Sequence, residues 1–255
     1  MKFEGARAVI TGAASGLGHA VTERVAGAGG QVTMLDINEE QGVRAAGAIG
    51  DGARFERVDV SIEQEVNDAI ERAAAAMGGI DLAVNCAGII GAARVLGRSA
   101  PMDGEFFARV IRINLIGSFF VAKAAADAMQ HNEPDEEGER GLIVNTASVA
   151  AYEGQIGQAA YSASKGGVVS MTLPIARELA RLGIRVMTIA PGIFMTPMMA
   201  GLPESVQKSL GEQVPFPSRL GRPAEFADLV EHICGNVMLN GETIRLDGAI
   251  RMQPK

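Results

Sequence analysis

Apolar residues fall in short runs along this chain, separated by stretches in which they recur at helical spacing. The first run, A-R-A-V-I-T over 6–11, stops at a glycine-rich turn, T-G-A-A-S-G-L-G over 11–18, and an amphipathic stretch over 19–28 follows. The order is strand, turn, helix. The alternation then repeats as a strand over 31–36, a helix over 39–49, a strand over 53–60, a charged helix over 62–77 and a strand over 80–84. A loop rich in Gly, Ala and Arg spans 89–104, and a long helical pattern runs over 105–130. The charged, breaker-rich segment 131–140 reads as a solvated surface loop. Beyond it lie a buried strand over 142–144 ending near Thr146, a helix over 159–181 that carries Pro174, and a strand over 184–190. A helix then starts at Arg222 with Pro223 in its first turn, and a last strand covers 242–247. Strands alternating with helices predict an α/β fold, a doubly wound parallel sheet of about seven strands with helices on both faces. No repeat or linker interrupts the 255 residues, so one domain over 1–255 is expected.

Composition narrows the function classes. A net charge of −7 argues against a nucleic-acid-binding surface, which needs a basic face, but leaves room for a local basic pocket. Cys86 and Cys234 sit inside apolar segments without metal-ligand spacing or a disulfide framework, which predicts no metal and a reducing compartment. The histidines His19, His131 and His232 are scattered. No apolar run reaches the ~18 residues of a membrane span. Residues 1–5 lead straight into the first strand, leaving no room for a signal peptide, so the cytoplasm is the expected location.

Candidate chemistry concentrates in 145–167, N-T-A-S-V-A-A-Y-E-G-Q-I-G-Q-A-A-Y-S-A-S-K-G-G. Tyr161 and Lys165 are four apart on a predicted helix and share a face. A neighbouring ammonium favours the phenolate and should pull the phenol pKa down towards the range of general acid–base catalysis. Ser148 comes from the end of a strand, so strand end and helix face could converge on one carbonyl oxygen. Tyr and Lys at this spacing also occur by accident on amphipathic helices. In the first turn, Gly12, Gly16 and Gly18 under a helix N-terminus would let a pyrophosphate approach the backbone. Their spacing, G-x-x-x-G-x-G, differs from the commoner dinucleotide pattern. Asp36 ends the second strand, where a carboxylate accepts from ribose hydroxyls and repels a 2′-phosphate, which favours NAD over NADP; a merely solvated Asp is the alternative. Asp59 and Val60 fall at the carboxyl end of the third strand, and Cys86, Ala87 and Gly88 at that of the fourth, the edge where parallel sheets bind ligands. Asn114, inside an apolar helix, reads as a satisfied core amide or a functional one. The Met-, Pro- and Phe-rich stretch 193–217 is a candidate lid over an apolar substrate, or packing.

Taken in order, the turn 11–18, Asp59, N-C-A-G over 85–88, Asn114, Ser148, Y-S-A-S-K over 161–165 and Pro191-Gly192 resemble the short-chain dehydrogenase/reductase family over essentially the whole chain. The resemblance implies a Rossmann-like fold and an NAD-dependent oxidoreductase. It makes Tyr161 the general acid/base, gives Lys165 the tasks of lowering its pKa and holding the nicotinamide ribose, and sets Ser148 on the substrate oxygen. Asn114 would anchor a water linking Lys165 to a proton path, against its blander reading. Ser15, Leu17, Asp36, Asp59, Val60, Cys86, Pro191, Gly192, Phe194 and Thr196 would surround the cofactor, and Gln158 would face the substrate beside Ser148 and Tyr161. The stretches 149–165, 171–177, 214–221 and 246–254 are similar to one group within the family, the type-2 3-hydroxyacyl-CoA dehydrogenases, also described as type-10 17β-hydroxysteroid dehydrogenases. That likeness implies oxidation of the 3-hydroxyl of acyl-CoA thioesters and a homotetramer. The segments 91–104 and 133–139 depart from the group. A 3-oxoacyl-carrier-protein reductase, another secondary-alcohol dehydrogenase and a non-catalytic nucleotide sensor are the alternatives.

Overall fold

The computed structural model describes residues 1–254, apart from the side chain of Met198. Its seven strands are β1 (Arg7–Thr11), β2 (Gln31–Asp36), β3 (Ala53–Arg57), β4 (Leu82–Asn85), β5 (Gly141–Thr146), β6 (Ile184–Pro191) and β7 (Thr243–Leu246). They form one sheet in the order β3-β2-β1-β4-β5-β6-β7, every neighbouring pair parallel. The strand order reverses between β1 and β4, and in such Rossmann-like sheets ligands bind outside the carboxyl ends at that switch point.

Side chains alternate across the strands, and here both sets are apolar, as a sheet covered on both faces requires. Ile10, Met34, Val84, Val144 and Ile189 pack on one face against Val21 and Val25 of α1 (Gly16–Gly27) and Phe226 and Val230 of α9 (Pro223–Gly235). Val9, Leu35, Ala83, Ile143 and Val186 pack on the other against α3 (Glu63–Met77), α5 (Gly117–Met129) and α6 (Ala159–Leu179). A short helix α2 (Glu39–Ile49), capped by the Asn38 side chain on the Gln41 N–H, joins β2 to β3. Pro174 sits inside α6, which runs on unbroken to Leu179.

Four expectations change. The helix predicted over 105–130 is α4 (Gly104–Ile111) and α5 joined by a π-helical turn at Arg112–Ile116. The Asn114 side chain leaves this turn to bond the Ile89 backbone, while its carbonyl accepts from Ser118 Oγ at 2.8 Å. The strand expected over 53–60 stops at Arg57, because the Asp59 N–H turns to Glu65 and its carbonyl starts the turn into α3. The segment 131–140 is not wholly solvated. Glu139 is buried and paired with Arg185 of β6 at 2.7 Å. Finally, 193–217 contains two helices, α7 (Pro197–Ala200) and α8 (Glu204–Glu212).

Candidate active site

Two adjoining cavities open at the carboxyl edge of the sheet. The first, about 480 Å³, is walled by the 12–18 turn, by Asp36 and Ile37 after β2, by Asp59 and Val60, and by 86–90 after β4. The second, about 340 Å³, is walled by Ser148, Gln158, Tyr161, Lys165, Pro191, Gly192 and Phe194, with Leu17, Cys86, Gly88 and Thr196 common to both. A larger recess, about 960 Å³, lies among α3, α5 and α6, but its wall holds none of these groups; volume alone does not locate the chemistry.

The three glycines of the first turn do different work. Gly12 has φ +62°, and a Cβ there would lie 2.8 Å from the backbone of Cys86 and Ala87. A Cβ on Gly18 would lie 2.5 Å from the Gly12 carbonyl oxygen. Both therefore need to be glycine for contact between backbone segments of the protein, besides lining the first cavity. Gly16, at φ +59° with only Thr196 and Pro197 near, at about 3.6 Å, has the open side. It starts α1, whose N-cap Ser15 makes no capping bond and whose first turn carries no acid. Unpartnered N–H groups at the positive end of a helix dipole, free of negative side chains, fit a pyrophosphate. Thr11 fixes the opposite wall, its Oγ1 accepting from the Cys86 and Ala87 N–H groups at 3.1 Å each.

Asp36 is not the freely solvated residue the alternative reading supposed. Its Oδ2 accepts from the Ala14 N–H at 3.1 Å and its Oδ1 from the Asn38 N–H at 3.0 Å, which ties the glycine turn to β2. Each oxygen retains a further lone pair, and among the described residues the cavity wall contains two carboxylates and no Lys or Arg. That lining fits two ribose hydroxyls and disfavours a further phosphate.

In the second cavity, the end of β5 and α6 supply Ser148, Tyr161 and Lys165. Ser148 follows β5 and accepts the Ala150 N–H at 3.1 Å, opening a 3₁₀ turn over Val149–Ala151. Tyr161 and Lys165 share a face of α6, with the ammonium 5.9 Å from the ring centroid. Lys165 Nζ donates to the Thr146 carbonyl at 2.7 Å, and burial pushes its pKa down to about 8. Burial also raises the Tyr161 pKa, and the nearby Ser148 hydroxyl offsets only part of that. The net shift of the phenol is thus upward and set by desolvation, where the Tyr–Lys spacing alone suggests a fall. Cys86, at the junction of the cavities, has its thiol pushed up to about 11 by burial and is a wall rather than a nucleophile.

Asn114 lines neither cavity. Its Oδ1 accepts from the Ile89 N–H at 2.8 Å, and its Nδ2 donates to the Ile89 carbonyl and to Ser164 Oγ at 2.9 and 3.1 Å. Both amide protons are thus committed to the protein, and the side-chain amide is satisfied. Ser164 in turn donates to the Tyr161 carbonyl at 2.7 Å, so Asn114 braces the loop after β4 against the helix that carries Tyr161. Ser164 and Thr11 lie inside motifs quoted from the sequence, but no role was read for either. Ile89 and Ile90 were readable from the ligand-edge rule. Met199 and Leu210, from the candidate lid 193–217, also line the second cavity, as does Met252, which nothing in the local pattern marks.

The short chain dehydrogenase family model matches residues 6–207. The chain is 55% identical over 253 residues to 3-hydroxyacyl-CoA dehydrogenase type-2 of Bos taurus, an alignment covering 98% of this chain and 97% of that one. It is 51% identical to the protein of the same name from Drosophila melanogaster, covering 99% and 100%. A crystal structure of 3-hydroxyacyl-CoA dehydrogenase type-2 from Mycobacterium avium superposes with a TM-score of 0.95 at 43% identity, covering 99% of this chain and 98% of that one. With a cofactor-sized cavity leading to a Ser, a Tyr and a Lys on one wall, and with relatives matched from end to end, the chain belongs to the short chain dehydrogenase family.

Proposed function

We propose that this protein is an NAD-dependent 3-hydroxyacyl-CoA dehydrogenase, reversibly oxidising the 3-hydroxyl of an acyl-CoA thioester to the 3-oxo group. The observation that carries the reading is Ser148, Tyr161 and Lys165 on one wall of a cavity continuous with the glycine-turn cavity. The relatives matched at 51–55% identity carry the name of that activity. NAD, when bound, supplies the hydride acceptor. The wall from Ser15 and Gly16 to Asp36 would hold its pyrophosphate and adenosine, and Lys165 with Pro191, Gly192, Phe194 and Thr196 its nicotinamide end.

The chain's own residues handle the proton and the developing charge. Ser148 Oγ donates to the substrate oxygen and fixes it against the Tyr161 oxygen, which as phenolate takes the hydroxyl proton on oxidation and as phenol returns it on reduction. Fixed donors around that oxygen stabilise charge as it forms. Lys165, buried beside the ring, favours the phenolate while its ammonium is protonated. We assign the whole chain to one such domain, with 193–217 as its lid, in a homotetramer in the cytoplasm. Exposed Phe107, Ile116, Phe119 and Leu173 on α4, the π turn, α5 and α6 support an assembly surface, and free thiols on Cys86 and Cys234 suit a reducing compartment.

Initial rates of NADH formation with short and long 3-hydroxyacyl-CoAs, each also run with NADP, test the reading. High kcat/KM on thioesters with NAD is expected. Turnover of other alcohols but of no thioester overturns the acyl-CoA assignment. Tyr161→Phe should lower kcat by ~10³-fold or more while leaving the NADH dissociation constant within about threefold; substantial residual turnover overturns the role of Tyr161.

A further inference from the structure

A stretch that forms no helix or strand, 249–254, contributes Met252 to the wall of the second cavity. This strap is bound along the loop that follows Ser148. The Met252 N–H donates to Glu153 Oε2 at 3.3 Å, Gln155 Nε2 to the Gln253 carbonyl at 3.0 Å, and the Ile156 N–H to the Pro254 carbonyl at 3.0 Å. Glu153 is the hub. Arg245 of β7 grips both its oxygens, at 2.8 and 3.0 Å, and Arg251 reaches it at 3.3 Å. Arg245 also donates to Asp247 at 2.7 Å and to the Ile250 carbonyl at 3.1 Å, and lies 5.3 Å over the Tyr152 ring.

A two-pronged arginine–carboxylate pair has strong directional preference, and this one is largely shielded, each side chain being 23% exposed. Glu153 therefore joins three parts of the chain: the end of β7, the strap, and the turn that Ser148 opens. Any displacement of the strap moves the wall that Met252 makes relative to Ser148 and Gln158. Met is unbranched and adaptable, and its length sets how far an apolar chain extends before it meets the wall.

We propose that the 250–254 strap is the length gauge of this cleft: Met252 sets how long an acyl chain is accepted, and Glu153 and Arg245 are positioning residues that hold it in place. The proposal rests on the reading that the second cavity receives the substrate. It is tested by measuring kcat/KM on a straight-chain 3-hydroxyacyl-CoA series from butyryl to lauroyl length for the parent, Met252→Ala, Met252→Phe and Glu153→Gln. A hydrophobic wall discriminates by ~10-fold or more for each methylene it refuses. Met252→Ala should raise the ratio of long-chain to short-chain kcat/KM by about tenfold, and Met252→Phe should lower it. Glu153→Gln should flatten the profile through KM with kcat nearly unchanged, whereas a purely structural Glu153 would lower stability and leave the profile as it was. Profiles superimposable in the Ala and Phe variants overturn the proposal. If the parent oxidises no thioester, the acyl-CoA reading fails, and the same proteins are run on straight-chain secondary alcohols of increasing length, where opposite shifts in the two Met252 variants are again required. Inactivity of the parent on both series overturns the dehydrogenase reading and the gauge together.

Discussion

Lys165 shows how one residue's chemistry depends on what surrounds it. Its ammonium is enclosed beneath the catalytic wall, bonded to the Thr146 carbonyl, with its pKa pushed down to about 8 by burial. Between about pH 8 and pH 10.5 the unfolded chain binds a proton there that the folded chain has released. Stability therefore rises with pH across that window, and the penalty for the buried charge is full below it. Comparing denaturant unfolding of the parent with that of Lys165→Met cancels the titrating groups that Lys165 does not touch; Cys86, which it does, contributes to the difference. The parent should gain on the order of 2–3 kcal/mol relative to the variant between pH 7.5 and 10.5; a difference independent of pH would show that the ammonium is not desolvated. From sequence the Tyr–Lys pair was legible, because spacing four on a helix determines a shared face. The direction of the Tyr161 shift was not, because it depends on how much water the fold removes.

At the scale of elements, the glycine turn between β1 and α1 separates packing from binding. Gly18→Ala places a methyl against the Gly12 carbonyl and should cost about 1–3 kcal/mol in denaturant unfolding, since the strand–helix contact must open. Gly16→Ala meets no close neighbour; its positive φ costs about 1 kcal/mol, and the methyl enters the cavity, so NADH titration should show binding weakened by about tenfold. Equal losses of stability and of NADH binding in the two variants would contradict this division. The motif was visible in the sequence as strand, glycines, helix. Which glycine answers to the protein and which to the ligand became visible only when 86–87 came to lie against Gly12. The π turn at Asn114 is a similar case: its sequence reads as ordinary helix, and the bonds to Ile89 and Ser118 distort it.

At the scale of the whole molecule, the two edges of the sheet have separate tasks. At the amino edge, Arg185 donates to Glu139 and to the carbonyls of Ile233, Cys234, Asn236 and Leu239, closing the end of α9 against β6. Removing one partner of a buried pair leaves the other uncompensated, so Glu139→Gln should lower stability by about 3 kcal/mol. Because the pair lies at the start of β6 and the cleft at its far end, kcat/KM per folded molecule should hold within twofold. A drop in kcat/KM at unchanged stability would show coupling between the edges that this geometry does not contain.

By itself the sequence determined the alternation of strands and helices, the parallel sheet, the glycine turn, and the Ser148, Tyr161 and Lys165 set. The alternation and the Tyr161–Lys165 pair depend on local periodicity or on short spacing along one element, and Ser148 on its place just after a strand within the same stretch of chain. The tertiary structure decided what depends on elements distant in sequence. It buried Glu139 in a segment whose charges read as solvated, bonded Asn114 to the loop after β4, and carried Met252 from the far end of the chain to the second cavity. Burial and long-range hydrogen bonds are properties of the packed sheet and its crossovers, and no window of neighbouring residues contains them.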